Sequence, residues 1–248
     1  MAWVGVLSLQ GGFAAHARAL GEIGLAAREV RDARELEEAG GLVLPGGEST
    51  AQLRLIERHG LAEGLEAFVA SGRPVLATCA GLILAARQVG PGGGSAVRPG
   101  AGSESDRRPS QRSFGWLDVE VERNAYGRQL DSFEARSDEG LPLVFIRAPR
   151  ITAVGSGASV LARWRGEPVL VRGGAVTGAA FHPELTPDRR VHRLAFAAIA
   201  ESVTARPARS TGGSASAASG DVPGQDPGAG AVHRVHASER SPLHRWGA

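Results

Sequence analysis

Apolar runs and amphipathic segments alternate through the first third of the chain. Three short apolar runs predict β-strands at residues 3–9, 42–44 and 75–78, and a further short strand is predicted around residues 26–30. The first run is almost continuously apolar, which is typical of a strand covered on both faces. Helical spacing lies between the strands, as at Phe13, Ala17, Leu20 and Ile23. Strands that alternate with helices favour a parallel, doubly wound sheet.

The second half of the chain is richer in predicted strands. Leu117, Val119 and Val121 alternate with polar residues, and further strands are predicted at residues 143–147, 159–164, 168–172 and 175–181. A last helix is predicted over residues 188–203, with Val191, Leu194, Ala198 and Ile199 facing the core. We therefore predict an α/β fold with an open, mostly parallel sheet and helices on both faces.

Two segments depart from this pattern. Residues 90–112 are rich in Gly, Pro, Ser and Arg, and residues 205–248 have a similar composition with many alanines. Neither segment offers enough apolar surface to offset the entropy of ordering it. We predict one domain over residues 1–204, with a flexible insertion at 90–112 and a disordered tail at 205–248.

Composition excludes several classes of protein. A single cysteine excludes an internal disulfide and any metal site built from several cysteines. The formal net charge is only +2, so a nucleic-acid partner is not indicated. No apolar run approaches the ~18 residues of a membrane helix, and the first ten residues do not resemble a signal peptide. We expect a cytoplasmic protein that contacts no membrane.

The lone cysteine has an unusual setting. Cys79 follows the buried strand 75–78 and precedes a helical-looking segment at 81–88. A nucleophile on such a tight turn is exposed at the carboxyl edge of the sheet, and the helix N-terminus favours its thiolate form. The alternative is that Cys79 is a small hydrophobic side chain buried in the core, which is the commonest role of a free cysteine.

Two further segments carry candidate chemistry. His182 and Glu184 are two residues apart, so in an extended segment they lie on one side, where a carboxylate can orient an imidazole. A surface histidine beside a helix-starting glutamate remains the alternative. Residues 45–50 form a Gly-rich turn whose N–H groups can bind an oxyanion or a carboxylate, and Ser49 is the predicted N-cap of the next helix. A phosphate site is disfavoured because no lysine follows the glycines.

Six motifs resemble one family in order from residue 3 to about residue 203: LSLQGG, LPGGEST, TCAGLIL, VERNAYGRQ-DSFEA, FIRAPRI and FHPEL. Together they are similar to the glutaminase subunit of pyridoxal 5'-phosphate synthase. That family belongs to the class I glutamine amidotransferase superfamily, which implies a three-layer, flavodoxin-like fold. This chain departs at Ala77, where the family usually has glycine.

The resemblance implies a role for each matching residue. Cys79 is implied as the nucleophile, His182 as the general base and acid, and Glu184 as the carboxylate that orients His182. The implied glutamine pocket consists of Gly47, Glu48, Ser49, Arg123, Ile146 and Arg147. The implied oxyanion donors are the backbone N–H groups of Gly47 and Ala80, and Gln10 is an implied partner contact.

The implied reaction is hydrolysis of glutamine to glutamate and ammonia through a γ-glutamyl thioester, and it implies no metal and no organic cofactor. The implied partner is the (β/α)8-barrel synthase subunit, which receives the ammonia for pyridoxal 5'-phosphate (vitamin B6) synthesis in a hetero-oligomer. Three alternatives stay open at this point. They are an amidotransferase of another pathway, a subunit that has lost catalysis, and a stand-alone cysteine peptidase.

Overall fold

Twelve strands and seven α-helices are present in the computed structural model, which describes residues 2–90, 111–123, 125 and 132–204. The strands are β1 (Val4–Leu7), β2 (Ala27–Val30), β3 (Gly41–Leu44), β4 (Val75–Thr78), β5 (Ala86–Gly90), β6 (Leu117–Glu122), β7 (Ser132–Arg136), β8 (Pro142–Ile146), β9 (Arg150–Val154), β10 (Ser159–Trp164), β11 (Glu167–Gly173) and β12 (Val176–Ala179). The helices are α1 (Phe13–Glu22), α2 (Ala33–Glu38), α3 (Ser49–Arg58), α4 (Ala62–Ala70), α5 (Ala80–Ala85), α6 (Arg190–Ala195) and α7 (Ala197–Thr204), and a 3-10 turn spans Pro183–Leu185.

The central sheet has seven strands in the order β10-β11-β12-β4-β3-β1-β2. Its five strands from β12 to β2 pair in parallel, and β11 and β10 extend the sheet in antiparallel fashion. The chain reverses its direction of travel across the sheet at β1. Right-handed crossovers therefore place α1 on one face and α2, α3 and α4 on the other. The predicted open, mostly parallel sheet with helices on both faces is confirmed.

Complete burial of the central strands explains their short apolar sequences. All four residues of β1, β3, β4 and β12 are buried, as in parallel strands that helices cover on both sides. Their carboxyl ends meet at one edge of the sheet, where loops collect the candidate residues. The other strands form a three-stranded sheet in the order β5-β6-β9 and a two-stranded sheet of β7 and β8.

Two predicted helices were wrong in part. The helix after Cys79 ends at Ala85, because residues 86–90 pair in parallel with β6 instead of extending the helix. The last helix breaks at Phe196, and α7 begins at the next residue. Val191, Ala195 and Ile199 are buried at a spacing of four residues, so Leu194 and Ala198 are exposed and were wrongly predicted to face the core.

Residues 91–110 and 205–248 lie outside the described residues. The flexible insertion at 90–112, the disordered tail at 205–248 and the end of the domain at residue 204 therefore stay predictions. Within the described ranges, no helix is both long enough and apolar enough to cross a membrane.

Candidate active site

Cys79 occupies a strained turn at the carboxyl end of β4. Its φ of 47° and ψ of −102° lie in a region that L-residues rarely adopt, at a cost of about 1–3 kcal/mol. The turn is held by a hydrogen bond from the Cys79 N–H to the Ala179 carbonyl at 2.9 Å, and α5 begins at the next residue, Ala80. The backbone is therefore bent so that the sulfur leaves the sheet plane where the strand ends.

The alanine that replaces the usual glycine fits within β4. Ala77 is fully buried, and its strand keeps regular parallel pairing on both sides, with Leu44 of β3 and Gly178 of β12 as its neighbours. The methyl group of Ala77 is therefore accommodated without a break in the strand that leads to Cys79.

His182 and Glu184 form a buried pair. The His182 Nδ1 atom lies 2.7 Å from Glu184 Oε1, and the backbone N–H of His182 donates to the Val144 carbonyl at 2.8 Å. The segment is not extended as predicted, because Pro183 starts a 3-10 turn that includes Glu184. The turn still brings the carboxylate back to the imidazole, so the predicted proximity is present with a different backbone.

The electrostatics of this pair favour charge on both groups. Burial alone disfavours protonation of His182, but its hydrogen bonds to Cys79 and Glu184 and their negative charges raise the pKa to about 10. Burial likewise opposes ionisation of Glu184, yet the charge interactions with His16 and His182 hold its pKa below the usual value. An imidazolium beside a sulfur atom favours thiolate chemistry at neutral pH.

The Gly-rich turn after β3 lies against this pair. A Cβ atom on Gly46 would collide with Cε1 of His182 and would lie 3.3 Å from the Cβ of Cys79, so only glycine lets the imidazole approach the sulfur. A Cβ on Gly47 would lie 2.5 Å from Gln10 Oε1. The same Gln10 oxygen accepts a hydrogen bond from the Glu48 N–H at 2.9 Å. The turn is thus tied to the loop that follows β1.

A cavity of about 210 Å³ opens over Cys79. It is lined by Gln10, Gly47, Glu48, Ser49, Cys79, Ile83, Arg123, Ile146, Arg147 and His182. Of the residues proposed from sequence, only Glu184 and Ala80 are not in this lining. Glu184 lies behind His182, and Ala80 is the first residue of α5, where backbone N–H groups have no intrahelical partner. Ile83 is the one lining residue to which the resemblance assigned no role.

Charged side chains surround the side of the cavity formed by α3. The helix N-cap is Glu48 and not Ser49 as predicted, since its carboxylate accepts from the N–H groups of Thr50 at 3.1 Å and Ala51 at 2.6 Å. Arg123 lies 3.5 Å from Glu48 and 3.3 Å from the Thr50 hydroxyl. The guanidinium is thereby held at the cavity, where it can bind a carboxylate.

The far side of the cavity is formed by the end of β8. The Ile146 carbonyl oxygen lies 3.8 Å from the Cys79 sulfur, and the next residue, Arg147, has a φ of 44°. Positive φ at arginine is uncommon, and such strain is frequent at functional sites. It directs the backbone of this segment toward Cys79.

Comparison with known proteins decides the family. Residues 6–201 match the SNO glutamine amidotransferase family. The chain belongs to that family. It is 46% identical over 207 residues to the pyridoxal 5'-phosphate synthase subunit PdxT of Haloquadratum walsbyi, and the aligned segment covers 79% of this chain and 93% of the relative. It is 48% identical over 197 residues to the PdxT of Frankia alni, covering 77% of this chain and 92% of that protein.

Solved structures agree with this assignment. A crystal structure described as a glutamine amidotransferase is 41% identical to this chain, with a TM-score of 0.67 over 80% of this chain and 98% of the other. A structure of PurLQS from Thermotoga maritima is 13% identical with a TM-score of 0.53 over 80% of this chain and 99% of the other, and it shows the shared fold alone. The predicted resemblance to class I glutamine amidotransferases is confirmed, and the chain is an enzyme of that family.

Several polar residues of this glutamine amidotransferase were missed in the sequence. His16 and His192 lie fully buried on α1 and α6, and Gln52 is buried on α3, where it donates to the carbonyls of Gln10 and Pro45 at 3.0 Å each. Each of these side chains takes a position on the apolar face of its helix. The signal available in the sequence was a polar residue at a position where helical periodicity predicts a buried apolar one.

The buried histidines predict acid sensitivity of the fold. Burial is the largest effect on both: it lowers the pKa of His16 to about 4 and that of His192 to about 3, below the ordinary value of 6.5. Between about pH 5 and pH 6.5 the unfolded chain therefore binds protons that the folded chain does not, and stability falls as the pH falls. The expected slope is about 1 kcal/mol per pH unit for each histidine.

Urea unfolding at a series of pH values measures this slope. His192→Gln removes one of the two titrations and should reduce the slope by about half, whereas His59→Gln, at an exposed position, should leave it unchanged. An unchanged slope in His192→Gln would contradict the prediction. His182 does not contribute in this window, since its raised pKa affects stability only as the pH rises above 6.5 toward about 10.

Proposed function

We propose that this chain hydrolyses glutamine to glutamate and ammonia, and that it delivers the ammonia to a synthase subunit for pyridoxal 5'-phosphate (vitamin B6) synthesis. The observation that carries the proposal is the meeting of Cys79 with the His182–Glu184 pair at one cavity, in a member of a glutamine amidotransferase family. The pathway is supported by curated relatives that are themselves named as pyridoxal 5'-phosphate synthase subunits.

In the first half-reaction, the Cys79 thiolate attacks the side-chain carboxamide carbon of glutamine. The tetrahedral oxyanion is held by the backbone N–H groups of Gly47 and Ala80, two donors of the kind that stabilise acyl-transfer transition states. The His182 imidazolium then donates its proton to the departing nitrogen, and ammonia leaves. The C–N bond is thereby exchanged for a C–S bond, which gives the γ-glutamyl thioester.

In the second half-reaction, neutral His182 accepts a proton from a water molecule, whose oxygen attacks the thioester carbon. The second oxyanion collapses, the C–S bond breaks, and glutamate leaves Cys79 as a thiolate. Glu184 accepts the Nδ1–H of His182 throughout and keeps the other ring nitrogen toward the sulfur and the water. The sum of the two steps is the hydrolysis of one amide bond.

Substrate selection is assigned to the charged walls of the cavity. The α-carboxylate of glutamine suits the Arg123 guanidinium, and the α-ammonium suits Glu48, which lies beside it. Ser49 and the Ile146–Arg147 backbone supply the remaining polar contacts. A peptide substrate would lack the free α-ammonium and α-carboxylate, so the same walls argue against a stand-alone peptidase.

The decisive experiment for the pathway is to supply glutamine as the only nitrogen source to a mixture of this chain, the barrel synthase partner and the phosphorylated sugars that it uses. Formation of pyridoxal 5'-phosphate supports the proposal. Glutamate release without pyridoxal 5'-phosphate would indicate an amidotransferase of another pathway. Absence of both would indicate a subunit that has lost catalysis.

Glutamine turnover by the isolated chain should be low and should rise at least about tenfold when the barrel subunit is added, because one oxyanion donor belongs to a turn that can change conformation. The Gly12 N–H donates to the Gly46 carbonyl at 3.1 Å, and Gln10 accepts from Glu48 at 2.9 Å. Pressure on the loop after β1 therefore reaches the Gly46–Gly47 turn directly.

Gln10→Ala tests this route, and glutamate release with and without the barrel subunit is the measurement. The variant should lose more of the partner response than of the basal rate. Glu63→Ala, on α4 and remote from the cavity, serves as the control that keeps the full response. If the isolated chain already turns over glutamine as fast as the complex, partner activation is wrong, although the assignment of Cys79 and His182 survives.

A further inference from the structure

A cluster of buried polar side chains lies behind Glu184, on the side away from the substrate cavity. His16 of α1 has no exposed surface, and its Nε2 atom lies 3.2 Å from Glu184 Oε2 and 3.2 Å from the Thr78 hydroxyl oxygen. Its Nδ1 atom lies 3.1 Å from Nε2 of His192 on α6. Glu184 thus has His182 at one carboxylate oxygen and His16 at the other.

The carboxylate determines where the protons of this cluster lie. Glu184 is ionised and only accepts, so the His16 nitrogen 3.2 Å from its Oε2 atom must carry its proton. That N–H donates its hydrogen bond to the Thr78 hydroxyl oxygen, also 3.2 Å away. Its interaction with Glu184 is electrostatic, since Oε2 has no hydrogen-bond partner among the described residues. His16 Nδ1 is then an acceptor, and His192 Nε2 is its donor.

The far end of the cluster supports this arrangement. Nδ1 of His192 is buried and finds no hydrogen-bond partner among the described residues. With the protons placed as above, that atom is an unpaired acceptor. The reverse arrangement would leave an unpaired buried N–H there and would point a lone pair of His16 at the Glu184 carboxylate, both of which are costly.

We propose that His16 is a positioning residue of the glutaminase reaction: its Nε2–H faces Oε2 of Glu184 and holds the carboxylate in the orientation that directs His182 toward Cys79. This inference rests on the proposed function. His16 touches neither the substrate cavity nor the sulfur, so it acts through Glu184. Mutation of a group that orients a metal-ligating side chain in this way typically lowers activity about 10–100-fold, and we expect an effect of similar size at His16.

The burial of His16 suits this role. Desolvation keeps its pKa near 4, so the ring stays neutral and keeps one donor and one acceptor across the physiological range. The titratable groups around Glu184 are His16, His182, His192, Cys79 and Arg189. Loss of a donor at Oε2 should raise the pKa of Glu184, and a protonated Glu184 no longer supports the imidazolium of His182.

Two amide substitutions distinguish a positioning role of His16 from a role in packing alone. In His16→Gln the side-chain amide nitrogen can take the place of Nε2 and reach Glu184. In His16→Asn the shorter amide takes the place of Nδ1, reaches toward His192 and cannot reach Glu184. Both variants are polar and smaller than histidine, so a purely structural role predicts similar losses for the two.

The first measurement is glutamine turnover in the complex with the barrel subunit. We expect His16→Asn to lower kcat by at least about tenfold with KM changed little, and His16→Gln to recover most of that loss. In a Glu184→Gln background His16→Asn should cause no further loss, because its effect passes through that carboxylate. His59→Asn, at an exposed site, is the control that keeps the parent rate.

The second measurement needs no substrate and no partner. Cys79 is the single cysteine of the chain, so the rate of alkylation by iodoacetamide reports on this sulfur alone. In His16→Asn Glu184 should support the cationic form of His182 less well, so labelling of the sulfur at pH 7 should slow by about tenfold. His16→Gln should keep the parent rate.

The two measurements separate failure of the inference from failure of the proposed function. Absence of glutaminase activity in the parent complex overturns the proposed function, and the labelling rate still decides the role of His16. Equal losses in the Asn and Gln variants, an unchanged labelling rate in His16→Asn, or an undiminished effect in the Glu184→Gln background would each overturn the positioning role. A variant that melts well below the parent is replaced in both assays by His16→Gln combined with Thr78→Val, which removes the competing acceptor and should retain activity if the contact with Glu184 is the one that matters.

Discussion

Replacement of Cys79 by alanine is expected to lower glutamine turnover by at least about 10³-fold, or ~4 kcal/mol of transition-state stabilisation. The sulfur is the only thiol of the chain, and it stands on a turn with φ of 47° beside an imidazole whose pKa is raised to about 10. Without it there is no nucleophile to form the thioester. The measurement is glutamate release in the complex with the barrel subunit.

The fold of the Cys79→Ala variant should be intact, because the change removes one partly enclosed sulfur and leaves the backbone contacts of the turn in place. Ala77→Gly is the matched control: it lies in the same strand, restores the residue usual in the family, and should retain near-parental turnover. A folded Cys79→Ala protein that keeps more than about a tenth of the parental rate would exclude Cys79 as the nucleophile.

His182→Asn is expected to cause a loss of similar size, at least about 10³-fold in kcat, since the variant lacks the group that protonates ammonia and activates water. Asparagine still offers a side-chain N–H near the position of Nδ1, so the contact with Glu184 at 2.7 Å can be kept in part. What is removed is the nitrogen that faces the sulfur. KM should change little, because His182 is not assigned a contact with the charged ends of glutamine.

The rate of Cys79 labelling by iodoacetamide gives an independent measurement for His182. The imidazolium persists up to its pKa of about 10, so at pH 7 a cation lies beside the sulfur and favours its reaction. In His182→Asn that cation is absent, and the labelling rate at pH 7 should fall by at least about tenfold. His59→Asn, at an exposed position, should reproduce the parental rate. An unchanged rate in His182→Asn would show that another group activates the sulfur.

Much of the fold was visible in the sequence because burial leaves a strong local mark. The apolar runs of β1, β3 and β4 are buried on both faces, and such strands show little alternation. On the last helix Val191 and Ile199 were predicted to face the core, and both are buried. The segments that were wrong depend on distant partners: residues 86–90 became a strand because β6 lies beside them.

The candidate residues follow the same division. Cys79, His182 and the Gly46–Gly47 turn were candidates from their local sequence, because a strand that ends in small residues, a histidine two residues from a glutamate and a Gly-rich turn each suit a particular chemistry. Arg123 and the Ile146–Arg147 segment were named only through resemblance to the family. Nothing in their neighbouring sequence shows that β8 ends at the Cys79 sulfur.

The sequence by itself therefore determined the family and the alternation of central strands with helices, and it named the residues to which the proposed chemistry is assigned. The tertiary structure alone decided how they are supported. His16 and His192 are 176 positions apart and meet at 3.1 Å because α1 and α6 pack on the same face of the sheet. A contact between residues so far apart in the sequence cannot be predicted from the hydrophobic periodicity of either helix. Each helix shows only a polar residue on its apolar face, and nothing in its sequence indicates the partner.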